Sequence, residues 1–191
     1  MCYNIKKEII VENIEIEFYG NADNLLLILT GIGGTVKGYA DKYVKLANKV
    51  IDTQEFSVAV ATTPSGSWQH TKENLDFIMQ YVKNKRNGKI YAMGSSAGAN
   101  ILLMHAHEHP QIKQILAVNP VLNINLFKIE SGINQFAGNT TLICGEKDMS
   151  SMFYKMLKST ATTIVLENID HNFTNHLDEF IDLPLKYLFR D

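Results

Sequence analysis

Two cysteines in 191 residues, Cys2 and Cys144, leave no room for a disulfide framework, and the pattern fits a reducing compartment. Cys144 ends the apolar run 141–144, where a small buried hydrophobe is the ordinary role. Proline is scarce, at four residues, and no Pro/Gly-rich linker, internal repeat or low-complexity tract interrupts the chain. Residues 1–191 therefore read as a single domain, long enough to bury a sizeable core. No segment approaches the roughly 18 consecutive apolar residues of a membrane span. The stretch 1–13 carries Lys6, Lys7 and Glu8 and lacks the apolar core of a signal peptide. A cytoplasmic protein with no membrane partner is expected. Nor is there an excess of one charge. Eighteen basic against 20 acidic residues give a net charge of −2, which offers no argument for nucleic acid. The one basic run, Lys83 to Arg86, precedes Gly88 and suits the end of a helix.

The most informative feature present is Gly94-Ser95-Ser96-Ala97-Gly98. It follows the apolar run 90–93 and precedes an apolar, helix-compatible stretch from Asn100. Gly-x-Ser-x-Gly gains chemical meaning at such a strand-to-helix turn. The turn forces its central residue, here Ser96, into a strained and exposed backbone position. The flanking glycines remove Cβ atoms that would strike the adjoining strand and helix. Strain and exposure serve a nucleophile better than they serve a fold.

The first 20 residues alternate apolar and polar positions. Residues 9–11 and the series Ile14, Ile16, Phe18 read as an antiparallel β-hairpin turning near Glu12-Asn13. Later strands, at 25–29, 56–61, 89–93, 114–118, 140–144 and 163–166, are nearly continuous apolar runs. That is the pattern of parallel strands covered on both faces. Between them lie helical spacings: Tyr39, Tyr43, Leu46, Ala47 and Val50; Leu75, Ile78, Met79 and Val82; Ile101 to His105; Met152, Met156 and Leu157; Leu177, Phe180 and Ile181. Pro184 is expected to end or kink the last helix. The alternation predicts an α/β fold, a mostly parallel central sheet with helices on both faces and an N-terminal antiparallel hairpin. Ligand chemistry then belongs at the carboxyl ends of the strands.

Three polar segments follow the strands. Thr30-Gly31-Ile32-Gly33-Gly34-Thr35 exposes backbone N–H groups. It is no Walker loop, because Tyr39 stands where Lys is required, and no dinucleotide fingerprint, because Val36 stands at the third glycine. A loop that offers an N–H to an oxyanion remains. Asp148 follows the strand ending at Cys144. It suits both an acid and the ordinary acidic residue near the start of a helix at Ser150 or Ser151. His171 follows the last strand, where a general base is needed. A serine hydroxyl is a weak nucleophile until a base takes its proton. An imidazole can do so, and a carboxylate on its other nitrogen fixes the tautomer. His176 is a rival base, and Glu146 and Asp170 are rival acids. His105, His107 and His109 have no third ligand at a recognisable spacing and read as helix-end residues rather than zinc ligands.

On these residues the chain resembles the α/β-hydrolase superfamily over nearly its full length. The Gly94 to Gly98 segment matches the nucleophile elbow. Gly145-Glu146-Lys147-Asp148 is similar to the family's acid segment, and Asp170-His171-Asn172-Phe173 resembles its terminal histidine segment. Thr30 to Gly34 looks like the oxyanion loop, with Thr30 where relatives often carry His. The resemblance implies the α/β-hydrolase fold and a serine hydrolase acting on a carboxylic ester or thioester through an acyl-enzyme, with no cofactor and no metal. Ser96 would attack, His171 serve as base and Asp148 orient it. Ala97, with Ile32 or Gly33, would supply the oxyanion hole. Tyr39 and Trp68 are candidates to wall the acyl pocket of a small-molecule substrate. Peptidase or acyltransferase chemistry on the same triad, and a catalytically silent binding protein, are the alternatives. Only 121–138 is available for a cap, about one helix, so the cap is minimal and short acyl chains are expected.

Overall fold

The computed structural model describes residues 6–9, 13–64 and 70–189, with side chains described for all but 6–9. Among the described residues, eight strands form one sheet: β1 (Lys6–Ile9), β2 (Glu15–Tyr19), β3 (Leu25–Ile32), β4 (Ser57–Thr63), β5 (Ile90–Ser95), β6 (Ile112–Val118), β7 (Asn139–Gly145) and β8 (Thr162–Leu166). Their spatial order is β1-β2-β4-β3-β5-β6-β7-β8. β1 pairs antiparallel with β2, and β2 antiparallel with β4. Every pair from β4 to β8 is parallel. The hairpin is therefore present, but its first strand lies before the expected 9–11, with Ile9 opposite Glu15. Residues 10–12 lie outside the described residues.

The helices are α1 (Lys42–Thr53), α2 (Thr71–Lys83), α3 (Ala97–His105), α4 (Leu126–Gln135) and α5 (Leu177–Tyr187). Strand side chains alternate between faces, so each apolar run feeds two cores. Leu25, Leu27 and Leu29 pack with Leu75, Met79, Leu102 and Ile129, which puts α2, α3 and α4 on one face. Leu26 and Ile28 pack with Tyr43, Leu46, Val50 and Phe180, which puts α1 and α5 on the other. Lys49 and Asp182 form an ion pair between those two helices. Continuous burial on both faces explains why these strands read as unbroken hydrophobic runs.

Four sequence expectations need correction. β8 is an edge strand with no fully buried residue, and Val165 is 41 % exposed. Its sequence is apolar enough to pair with β7, but nothing covers both of its faces. The helical spacing at Met152 and Met156 yields only a 3-10 turn, Met152–Met156, with no buried residue. α1 does not begin at Tyr39. Ala40 (φ 52°) and Asp41 (φ 56°) are left-handed and break the helix from the preceding 3-10 turn, leaving Tyr39 82 % exposed. Pro184 neither ends nor delimits α5. The helix runs through it to Tyr187, and Pro184 O accepts bonds from Leu188 N–H and Phe189 N–H. A proline eight residues into an eleven-residue helix removes one ladder donor, and the last turn still closes on Pro184 O.

Candidate functional site

The carboxyl ends of β3, β5, β7 and β8 gather one site. β5 delivers Ser96 at φ 54°, ψ −117°, a region sparsely populated by anything but glycine. The surroundings impose this conformation. Ser96 N–H donates to Val118 O at 2.9 Å, and Ser96 O accepts from Asn100 N–H at 3.1 Å. A Cβ on Gly94 would lie 2.5 Å from Ala99 N, and one on Gly98 would lie 2.4 Å from Leu29 O. The first glycine lets α3 fold back on β5, and the second lets α3 press against β3. Both are required by the turn, as the sequence predicts.

His171 Nε2 lies 2.9 Å from Ser96 Oγ, and His171 Nδ1 lies 2.9 Å from Asp148 Oδ2. An ionised carboxylate only accepts, so Nδ1 carries the proton and Nε2 presents its lone pair to the serine hydroxyl. Asp148 is 4 % exposed. Burial pushes its carboxyl up, but hydrogen bonds from His171 and from Ser150 outweigh it and hold the group below the usual carboxylate value. Its other oxygen, Oδ1, accepts from Ser150 N–H at 3.0 Å and from Ser150 Oγ at 2.8 Å. One oxygen of Asp148 thus organises the start of the following turn, and the other faces His171. The rivals are occupied elsewhere. His176 pairs with Glu179, Glu146 accepts from Asn168 N–H, and Asp170 accepts from Asn172 and Thr174 N–H. His105 Nε2 meets Thr71 Oγ1, and His109 Nε2 lies 3.1 Å from Asp76. Among the described residues no three His, Cys, Asp or Glu side chains converge as metal ligands would.

The loop after β3, which the sequence offers as a candidate oxyanion loop, is anchored by Thr30. Thr30 Oγ1 accepts from Thr63 N–H at 3.1 Å, and Thr30 O accepts from Thr63 Oγ1 at 2.7 Å. Of the two candidate donors there, Gly33 N–H is committed to Thr63 O at 2.9 Å. Ile32 instead lines the cleft beside Ser96. Ala97 N–H, at the first position of α3, belongs to the donors a helix leaves unpaired. The cleft has a volume of about 580 Å³ and is lined by Ile32, Tyr39, Lys42 and Tyr43 in addition to Ser96 and His171. Trp68, the other pocket candidate, lies outside the described residues. α4 does not cover the cleft. Gly132 packs so tightly on α3 that a Cβ there would sit 2.2 Å from Leu103 O.

Two positioning residues escape a sequence reading. Asn119, fully buried after β6 at φ 45°, donates from Nδ2 to the backbone oxygens of Asp170 and His171, both at 3.0 Å. Its Oδ1 accepts from Gly145 N–H at 2.7 Å. One amide therefore ties the end of β7 to the segment that carries His171. Tyr43, read as a core position of α1, brings its hydroxyl to Gly31 N–H and the Ser95 side chain, while burial pushes its pKa up to about 12. The only available signal was a polar residue directly after a strand for Asn119, and none for Tyr43.

No family model and no curated protein matches the sequence. Solved structures do. The chain aligns with Est1E from Butyrivibrio proteoclasticus at 13 % identity and TM-score 0.73, covering 96 % of this chain and 97 % of that one. It aligns with an α/β serine hydrolase homologue from Coxiella burnetii at 17 % identity and TM-score 0.71, covering 98 % of each. A thioesterase domain from the curacin biosynthetic pathway matches at 12 % identity and TM-score 0.72, covering 97 % of this chain and all of that one. The chain has the α/β-hydrolase fold. Among the described residues no helix is long and apolar enough to cross a membrane.

Proposed function

We propose that the protein is a serine hydrolase that cleaves a carboxylic ester or thioester. The observation that carries this is the hydrogen-bonded chain Ser96 Oγ, His171 Nε2, His171 Nδ1, Asp148 Oδ2, on an elbow that holds Ser96 at φ 54°. Ser96 Oγ attacks the carbonyl carbon and its proton passes to His171 Nε2. The imidazolium is stabilised by Asp148 and returns that proton to the departing alcohol or thiol. Water then attacks the acyl-enzyme, giving a proton to His171. The product acid leaves as Ser96 Oγ is reprotonated. Ala97 N–H and Ile32 N–H hold the oxyanion in both halves. The names of the thioesterase domain and of the serine hydrolase homologue support acyl chemistry of this kind.

The test is hydrolysis of short p-nitrophenyl esters. Ser96→Ala should lose on the order of 10⁶ in turnover, as removal of a triad serine can. Ser95→Ala, which removes a hydroxyl aimed at Tyr43, should lose far less. The reverse order would displace the nucleophile from Ser96.

A further inference from the structure

The polar groups of the cleft are nearly all spoken for. Ser96, His171 and Asp148 bond one another, and the Tyr43 hydroxyl meets Gly31 and Ser95. Lys42 is different. It lines the same cleft, and among the described residues no carboxylate lies within ion-pair distance of its ammonium. Lys42 Nζ rests over the rings of Phe180, at 4.2 Å, and Tyr43, at 5.1 Å. Those faces hold a cation but satisfy none of its three N–H donors. Burial lowers the Lys42 pKa to about 8, so the group is largely charged at neutral pH yet poorly hydrated. It is also the first residue of α1, where the helix dipole opposes a cation. An unpaired, partly desolvated charge is costly, and an anion in the cleft would offset that cost.

We propose that Lys42 is a specificity-determining residue that binds a carboxylate on the acyl portion of the substrate, so that monoesters or monothioesters of dicarboxylic acids are preferred. This rests on the hydrolase reading above. Lys42 shares its part of the cleft with Ile32 and Tyr39, whose apolar surfaces an acyl chain would follow. Among the described residues that line the cleft, Lys42 is the one Lys or Arg, which matches a monoanion rather than a phosphate dianion.

The test compares p-nitrophenyl esters of matched length with and without a terminal carboxylate: glutarate monoester against pentanoate, and adipate monoester against hexanoate, corrected for spontaneous hydrolysis. The better carboxylate ester should lead its neutral partner in kcat/KM by about tenfold or more, the discrimination one charge-assisted hydrogen bond supplies. Lys42→Met should bring that ratio towards one, and Lys42→Arg should restore most of it. A purely structural Lys42 would lower both rates together and leave the ratio unmoved, which overturns the proposal. So does a wild-type ratio of one or less at both lengths, a result that needs no variant to fold. Calorimetry on Ser96→Ala with adipic acid monoanilide and hexananilide separates the two readings. Tighter binding of the acid, lost in Lys42→Met, with no ester turned over by the wild type, would retain the role of Lys42 and reject the hydrolase. Ester turnover with no carboxylate preference would do the opposite.

Discussion

At the scale of single residues, the site depends on atoms held by several partners at once. Asp148 is the clearest case. Its folded pKa lies below the ordinary carboxylate value of 3.8, because the hydrogen bonds from His171 and Ser150 prevail over burial. A depressed pKa contributes stability that is complete above the unfolded value and lost as pH falls through the folded one. The thermal midpoint of the wild type should therefore fall more steeply on acidification below pH 3.8 than that of Asp148→Asn, which cannot titrate there. Carboxylates shared by both proteins cancel in the difference. Parallel melting curves across that range would show that Asp148 gains nothing from its partners. Asn119 works by the same economy of atoms, with one side chain fixing the loops that carry acid and base.

Elements position these residues by close approach. α3 begins at the elbow and runs back along β5 and against β3, and the contact leaves no space at Gly98, whose added Cβ would meet Leu29 O at 2.4 Å and Thr30 O at 2.5 Å. Both obstacles are backbone, so neither can rotate away. Gly98→Ala should lower stability by about 1–3 kcal/mol, or roughly 2–12 °C in Tm, and depress ester turnover as the elbow shifts. Calorimetric melting checks the first and a p-nitrophenyl ester assay the second. An unchanged Tm would contradict the packing described. Helices and strands with strong burial were legible in the sequence: the runs at 25–29, 114–118 and 140–144 each fall within a parallel strand. Elements decided by tertiary context were not. The apolar residues at 152–156 imitate a helix but form a 3-10 turn that buries none of them fully, with Tyr154 packed at the edge of the core, and the left-handed Ala40 and Asp41 break the periodicity that starts at Tyr39. The convergence of Ser96, Asp148 and His171 was legible because each stands just past a strand of the parallel sheet. Asn119 and Tyr43 were not, since an asparagine in a turn and a tyrosine on a helix face are ordinary until the fold shows what they touch.

At the scale of the whole molecule, the sheet brings four strand ends together and leaves the cleft without cover from α4, which is packed against α3. With no α4 residue in its lining, the cleft leaves one side of an acyl chain in water, and each methylene there forgoes part of the roughly 0.8 kcal/mol that full burial supplies. Among neutral esters, two- to four-carbon acyl chains should be turned over at least as well as long ones, with no jump in rate as substrate passes its solubility limit. A panel in which long-chain esters lead by more than about tenfold, a preference worth some 1.4 kcal/mol, would contradict this reading of the cleft. The carboxylate preference assigned to Lys42 is separate, because it compares chains of equal length.

The central claim is that the elbow serine is made nucleophilic by His171 and Asp148. A fluorophosphonate, which reacts with activated serine hydroxyls, tests it most directly when intact mass and peptide mapping locate the adduct. The account predicts one adduct per chain, on Ser96, formed rapidly by the wild type, slowed severely in His171→Gln and absent in Ser96→Ala. No adduct on a folded wild-type chain, or an adduct whose rate is indifferent to His171, would contradict it.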